Sequence, residues 1–227
     1  MRSACLLLAC LFGLLLPRVA RAHDEDHDDR IVPRFPAYPY AKRTRGYVRR
    51  VPYSDAEGTD ARLWSLRIGA EGGYLGRQGF RTGGSVLLRY WRLGVSADAH
   101  YYRGSNPSSS FYLGGAHGTL DLIMRPHFGL RAGLGLLAHA DAELSPSGRP
   151  SYDLGTNFMT EVDIFPIHPV VAGGRFDVGR IGDETAVSGR VSLGVMIRRV
   201  EVALAYEAKL IGETALRGPQ LGLRAWF

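Results

Sequence analysis

Trp64-Ser65-Leu66-Arg67-Ile68-Gly69-Ala70-Glu71-Gly72-Gly73-Tyr74 places apolar side chains at nearly every second position. Successive residues of a β-strand point to opposite faces. Trp64, Leu66, Ile68, Ala70 and Tyr74 therefore share one side, and Ser65, Arg67, Gly69, Glu71 and Gly73 share the other. Both charges lie on the second side. An amphipathic helix would place its apolar residues three and four apart instead.

The same period of two runs on to Phe227. Val86, Leu88 and Tyr90 oppose Ser85 and Arg89. Leu93, Val95, Ala97, Ala99 and Tyr101 oppose Ser96, Asp98, His100 and Tyr102. Tyr112, Ala116, Leu120, Leu122 and Met124 oppose His117, Thr119, Asp121 and Arg125. Phe128, Leu130, Ala132, Leu134, Leu136 and Ala138 oppose Arg131, His139 and Asp141. Tyr152, Leu154, Phe158, Val162 and Ile164 oppose Asp153, Asn157, Glu161 and Asp163. Val170, Ala172, Phe176 and Val178 oppose Arg175 and Asp177. Val187, Val191, Leu193, Val195 and Ile197 oppose Ser188, Arg190, Ser192 and Arg198. Val200, Val202, Leu204, Tyr206 and Leu210 oppose Glu201, Glu207 and Lys209. Leu221, Leu223, Ala225 and Phe227 oppose Gln220, Arg224 and Trp226.

This reading predicts about ten strands of roughly 10–14 residues, with eight as the alternative count. Strands of soluble sandwiches are shorter, about 5–6 residues. The apolar face is essentially free of charge, and an Arg or Lys at the lipid midplane of a barrel costs roughly 2–4 kcal/mol. The expected fold is an all-β, antiparallel, up-and-down transmembrane barrel over residues 63–227. The connections support it. Residues 103–110, 144–150 and 212–219 read as long loops, whereas residues 91–92, 126–127 and 198–199 read as tight turns. Long loops on one side and short turns on the other mark such barrels, and periplasmic termini require an even strand number. Trp64, Tyr74, Tyr90, Trp91, Tyr101, Tyr112, Phe128, Tyr152, Phe165 and Phe227 fall towards strand ends, where interfacial aromatic girdles are expected.

The start of the chain sets the compartment. Arg2 precedes an apolar run, Ala4 to Leu16, and Ala20-Arg21-Ala22 is a small-x-small cleavage site. Residues 1–22 read as a cleaved signal peptide. A lipoprotein box at Leu7-Leu8-Ala9-Cys10 is the rival reading, and it would leave an apolar stub after the cut. Cys5 and Cys10 both precede the cleavage point, so the mature chain holds no thiol for disulfides, cysteine catalysis or Cys-ligated metal. Arg2, Arg18 and Arg21 also leave with the signal, which lowers the formal charge from +6 to +3. So mild an imbalance gives no case for nucleic acid. Residues 23–62, rich in Pro, Arg and acidic residues, read as a flexible periplasmic arm.

The chain ends Leu221-Gly222-Leu223-Arg224-Ala225-Trp226-Phe227. A terminal aromatic preceded by alternating apolar residues resembles the closing strand of bacterial outer-membrane β-barrel proteins. The resemblance covers residues 63–227 in pattern and the last seven or so in motif. It implies the outer membrane as location and outer-membrane lipid as surroundings. It also implies periplasmic chaperones on the route and recognition of Leu221, Leu223, Ala225 and Phe227 by the barrel assembly machinery. A monomer is expected. The motifs of the enzymatic members do not appear: His117 and Thr119 point inward rather than to lipid as a lipid A deacylase would need, and the omptin motifs around an acid–His couple are missing.

The inward face carries the candidate chemistry. Arg67, Glu71, Arg89, Asp121, Arg131, Glu161, Asp163, Arg175, Asp177, Arg190, Glu207 and Arg224 form the expected lumen network, joined by Asp98, Arg125, Asp141, Asp153, Arg198, Glu201 and Lys209. Unpaired buried charges are costly, so interspersed signs predict a paired, plugged interior. A narrow conducting pore along the same residues is the alternative. Asp98 with His100, and His139 with Asp141, are candidate acid–His couples near the outer rim that would activate water in a hydrolase. His23, Asp24, Asp26 and His27 are candidate ligands for a divalent metal. Arg34 to Arg50 is a basic stretch suited to anionic polymers or head groups. No cofactor is indicated. The reading is of a non-enzymatic envelope protein with a structural or surface-interaction role.

Overall fold

The computed structural model describes residues 35–36, 61–62, 64–76, 79–104, 110–125, 127–141 and 152–227. Two short strands, β1 (Phe35–Pro36) and β2 (Ala61–Arg62), pair antiparallel with each other. The signal peptide, the His23–His27 cluster and most of the basic stretch lie outside the described residues.

Ten strands form one closed antiparallel barrel. They are β3 (Trp64–Tyr74), β4 (Phe80–Tyr90), β5 (Leu93–Arg103), β6 (Phe111–Arg125), β7 (Phe128–Asp141), β8 (Tyr152–Ile164), β9 (Val170–Ile181), β10 (Glu184–Ile197), β11 (Val200–Ile211) and β12 (Thr214–Trp226). Each pairs with its neighbours in sequence, and β12 returns to β3, with Gln220 opposite Gly73 and Trp226 opposite Arg67. Phe227 continues the seam, since Leu66 and Phe227 exchange backbone N–H···O bonds of 3.0 and 2.8 Å. Closure matters physically. In hydrocarbon an unpaired strand edge has no water to satisfy it, so only a closed sheet spans a bilayer.

The even-numbered residues of β3, β4, β7, β8, β9 and β11 face outward, as do the odd-numbered ones of β5, β10 and β12. Leu134 is 70% exposed, Ile197 65% and Leu204 63%. An apolar surface running right round the molecule is incompatible with water and matches lipid. Outward charges among the described residues lie within four residues of a strand end: Arg103, Arg125, Arg180 and Arg217. The chain is thus built as a membrane-spanning β-barrel.

The strand ends define two rims. The terminus-side rim holds Trp64, Phe227 and the connections 91–92, 126–127, 165–169 and 198–199. The loop-side rim holds the connections 75–79, 104–110, 142–151, 182–183 and 212–213.

Four sequence readings need correction. Residues 212–219 are not a long loop. Only residues 212–213 form the turn, and Thr214–Trp226 is one strand in which Pro219 pairs with Tyr206 on the outer face. A β-bulge between Asp121 and Ile123 lets Leu122 take an extra position in β6. The slip of one residue turns Arg125 outward, opposite Phe128, rather than into the lumen. Arg198 lies exposed in a turn, not inside. Phe165 is 8% exposed and packs edge-on against Trp226, with ring centroids 6.2 Å apart, so it belongs to the interior rather than a girdle.

Candidate functional site

A barrel of this strand number encloses just enough space for its own side chains. Alternation along each strand delivers one residue in two to that space, and there the charges find each other. Near the terminus side, Arg67, Arg89 and Arg131 face Asp121, Glu161 and Asp163. Arg131 donates from Nε to Asp121 at 3.2 Å, from Nη1 to Glu161 at 3.2 Å and from Nη2 to Asp163 at 3.0 Å. Arg67 reaches Glu161 at 2.5 Å and Asp163 at 3.4 Å. Arg89 donates to Ser65 Oγ at 2.8 Å and lies 3.9 Å from Asp121. Close by, Glu201 accepts from Arg224 at 3.1 Å and from the Trp226 indole at 3.3 Å.

A second group sits towards the loop side. Arg81 binds Glu71 and Glu207 and donates to Gln220 Oε1 at 3.0 Å and Tyr102 Oη at 3.3 Å. Arg190 pairs with Glu71, and Lys209 lies 3.4 Å from Glu207 and 3.2 Å from Tyr102 Oη. Arg175 joins Asp98 at 3.0 Å to Asp177 at 2.9 Å. Asn157 extends this chain: its Nδ2 donates to Asp177 at 3.3 Å, and its Oδ1 lies 2.5 Å from His117 Nε2.

The predicted network residues Arg67, Glu71, Arg89, Asp121, Arg131, Glu161, Asp163, Arg175, Asp177, Arg190, Glu207 and Arg224 all take part in these contacts. Sequence reasoning missed Arg81, which is 2% exposed and has the most partners of its group. Its signal was present, since Arg81 shares parity with Ser85 and Arg89. The glycines at 83 and 84 hid the start of the strand. Among the described residues eight basic side chains then stand against eight carboxylates in this network, so the network is neutral.

The candidate acid–His couples separate. His100 lies 3.5 Å from Asp98 but also 3.6 Å from Glu71, and it is 7% exposed. It is an interior residue, not a rim residue: Tyr102 stands between it and the loop side, and Leu113 packs beside it as its cross-strand partner. His139 stays near the loop-side rim, 3.9 Å from both Asp141 and Asp153, with its ring 5.2 Å from that of Phe111. Asp141 and Asp153 are about half-exposed, so solvent screens these contacts. Among the described residues no group of three or more His, Cys, Asp or Glu is arranged to hold a metal.

Two inward apolar clusters were not anticipated. Leu75, Tyr102, Leu113, Ile181, Ala186 and Leu216 pack together beneath the loop-side rim, backed by Phe111, Leu137 and Ile211. They come from six different places around the barrel, so they lie across it, and all are less than 9% exposed. Phe165, Val171, Met196 and Trp226 form a second buried apolar cluster at the terminus side, drawn from the β8–β12 half of the barrel. Most of the charged network lies between these two levels. Two voids lie among these residues, of about 50 and 60 Å³, the first lined by Arg67, Glu71, Arg190 and Arg224, the second by Asp98, Leu113, Arg175 and Lys209. Each has room for roughly four waters.

Neither a protein-family model nor a curated protein matches the chain. Several solved structures are similar in outline. The N-terminal β-barrel domain of Pseudomonas aeruginosa OprF matches 72% of this chain and 97% of its own, at 12% identity and a TM-score of 0.37. The NanC porin matches 71% and 98%, at 10% identity and a TM-score of 0.38. The outer-membrane protease OmpT of Escherichia coli matches 73% and 94%, at 12% identity and a TM-score of 0.40. At these scores the likeness adds nothing to what the barrel's own geometry shows.

Proposed function

We propose that this chain, an outer-membrane β-barrel, is a non-conducting protein of structural or surface-interaction type that exposes its loop-side end. The observation that carries the reading is the apolar layer beneath the loop-side rim, set over a charge-balanced network of ion pairs. An ion entering the barrel would have to cross Leu113, Ile181 and Tyr102, then displace arginines already bound to carboxylates. Both steps are unfavourable, the first because the layer offers no hydration and the second because breaking a buried pair costs about 3–5 kcal/mol.

The loop-side end is the part left to meet a partner. Its two longest connections, residues 104–110 and 142–151, follow β5 and β7, whereas β9–β10 and β11–β12 are joined by two residues each.

Single-channel recording tests the reading. Refolded residues 23–227 are expected to leave a planar bilayer silent, with folding verified by a heat-dependent gel shift. Discrete, reproducible current steps would replace this reading with a narrow solute channel, in which Arg81, Arg131 and their acids set ion selectivity.

A further inference from the structure

Four hairpins of the barrel are closed by two-residue turns whose first residue has a positive φ: Trp91 at 57°, Gly182 at 56°, Arg198 at 56° and Gly212 at 54°. Glycine adopts that conformation freely, whereas any residue with a Cβ is disfavoured there. On the loop-side rim the position is glycine both times. On the terminus-side rim it is Trp and Arg. Such strain persists only where something holds it in place. Burial does not, because Trp91 is 47% exposed and Arg198 is exposed too. The side chains themselves are what these two turns present.

Charge points the same way. The terminus-side connections, residues 91–92, 125–128, 165–169 and 198–199, contain Arg92, Arg125, Arg198, Arg199, His127 and His168 and no Asp or Glu. The nearest carboxylates, Asp121, Asp163 and Glu201, point into the lumen and are held by Arg131, Arg67 and Arg224. Arg92, Arg125 and Arg198 are exposed and make no ion pair among the described residues. The bulge at Leu122 is what brings Arg125 onto the outer face beside Phe128. Between the arginines stand exposed apolar and aromatic side chains: Trp64, Tyr90, Trp91, Leu93, Ile167 and Phe227.

We propose that the terminus-side rim binds the anionic phospholipid head groups of the leaflet around it, with Arg92, Arg125 and Arg198 meeting phosphates and the Tyr90 and Trp91 rings seated at the same level. Indole and phenol rings favour the head-group region, and basic side chains there are drawn to anionic lipid. A soluble anion would account for the arginines but not for the rings interleaved with them.

The test compares residues 23–227 folded into phosphatidylcholine vesicles and into mixed phosphatidylcholine–phosphatidylglycerol vesicles, with urea unfolding followed at low and high salt. The wild type is expected to gain stability in the anionic vesicles, by about fivefold in the folding equilibrium per arginine at low salt, and to lose the gain at high salt. The variant R92Q/R125Q/R198Q is expected to show no lipid preference. Should that variant fail to fold, R198G serves alone. It relieves the turn, so it is expected to be at least as stable as wild type in phosphatidylcholine and to lose about fivefold of the anionic gain. Equal stability of the wild type in both lipids would overturn the proposal, as would an undiminished preference in the variants. If a preference appears only after removal of residues 23–29, the acidic tract of this chain occupies the rim, and the proposal is again overturned.

Discussion

Arg131 is 2% exposed and donates to three carboxylates, at 3.2, 3.2 and 3.0 Å. Around it three arginines serve three acids, so Arg131→Leu leaves Arg67 and Arg89 to hold Asp121, Glu161 and Asp163. Asp121 suffers most, since its remaining arginine stands 3.9 Å away. Removing one member of a buried ion pair costs about 3–5 kcal/mol, mostly because the partner stays buried and charged. Leucine replaces the packing of the arginine stem, so the expected loss is electrostatic and should be reversible by removing the orphaned charge. R131L/D121N restores two against two, and it is expected to be more stable than R131L by about 1–3 kcal/mol, the size of coupling seen between contacting residues. Urea titration of the barrel in vesicles, read from the fluorescence of its three tryptophans, measures both variants. A loss for R131L within about 1 kcal/mol of zero would refute the reasoning. So would a double variant whose loss equals the sum of the single ones.

Other positions test other layers of the structure. Leu134→Arg, on the lipid face and 70% exposed, is expected to lower stability in vesicles by about 2–4 kcal/mol, read from the urea midpoint. Glu201→Gln weakens the acceptor shared by Arg224 and Trp226. Its expected cost is about 1–3 kcal/mol, accompanied by faster hydrogen exchange at Ala225 and Trp226. His139→Ala and Asp153→Ala act at a hydrated rim and are expected to change stability by less than about 1 kcal/mol. A larger loss from either would mean that the rim contacts are shielded from water.

The outer face was open to reading from sequence because lipid imposes one rule on every strand. Leu88, Val95, Leu136 and Leu193 had to alternate with something smaller or more polar, and no charge could join them mid-strand. The inner face follows no such rule. Alternation says that Leu113, Met196 and Trp226 point inward, but not that they gather into clusters at two heights. That depends on how far each strand is displaced along its neighbour. The partners of Arg67 and Arg81 lie 94 and 126 residues away, and no local pattern announces contacts across a lumen. The bulge at Leu122 was equally hidden, since one inserted residue leaves composition unchanged while reversing the faces after it. Pro219 misled in the opposite sense: it reads as a loop residue, yet on an outward strand position beside Tyr206 it is accommodated. Asp98 and His100 had the right mutual spacing, and only the closed barrel brings Arg175 to Asp98 and Glu71 to His100.

The neutral network inside the barrel also shapes how such a chain can change through descent. On the outside, one aliphatic residue can replace another with little effect, so those positions are free to wander singly. Inside, a lone swap at 67, 81 or 131 strands a charge where no solvent reaches it, and lineages bearing it would be lost before a second change arrives. Viable histories therefore pass through matched steps, in which position 161 moves with 67 and position 207 with 81. Among descendants of a common ancestor, the barrel should carry two tempos at once: an exterior that drifts residue by residue, and an interior that changes seldom and in pairs.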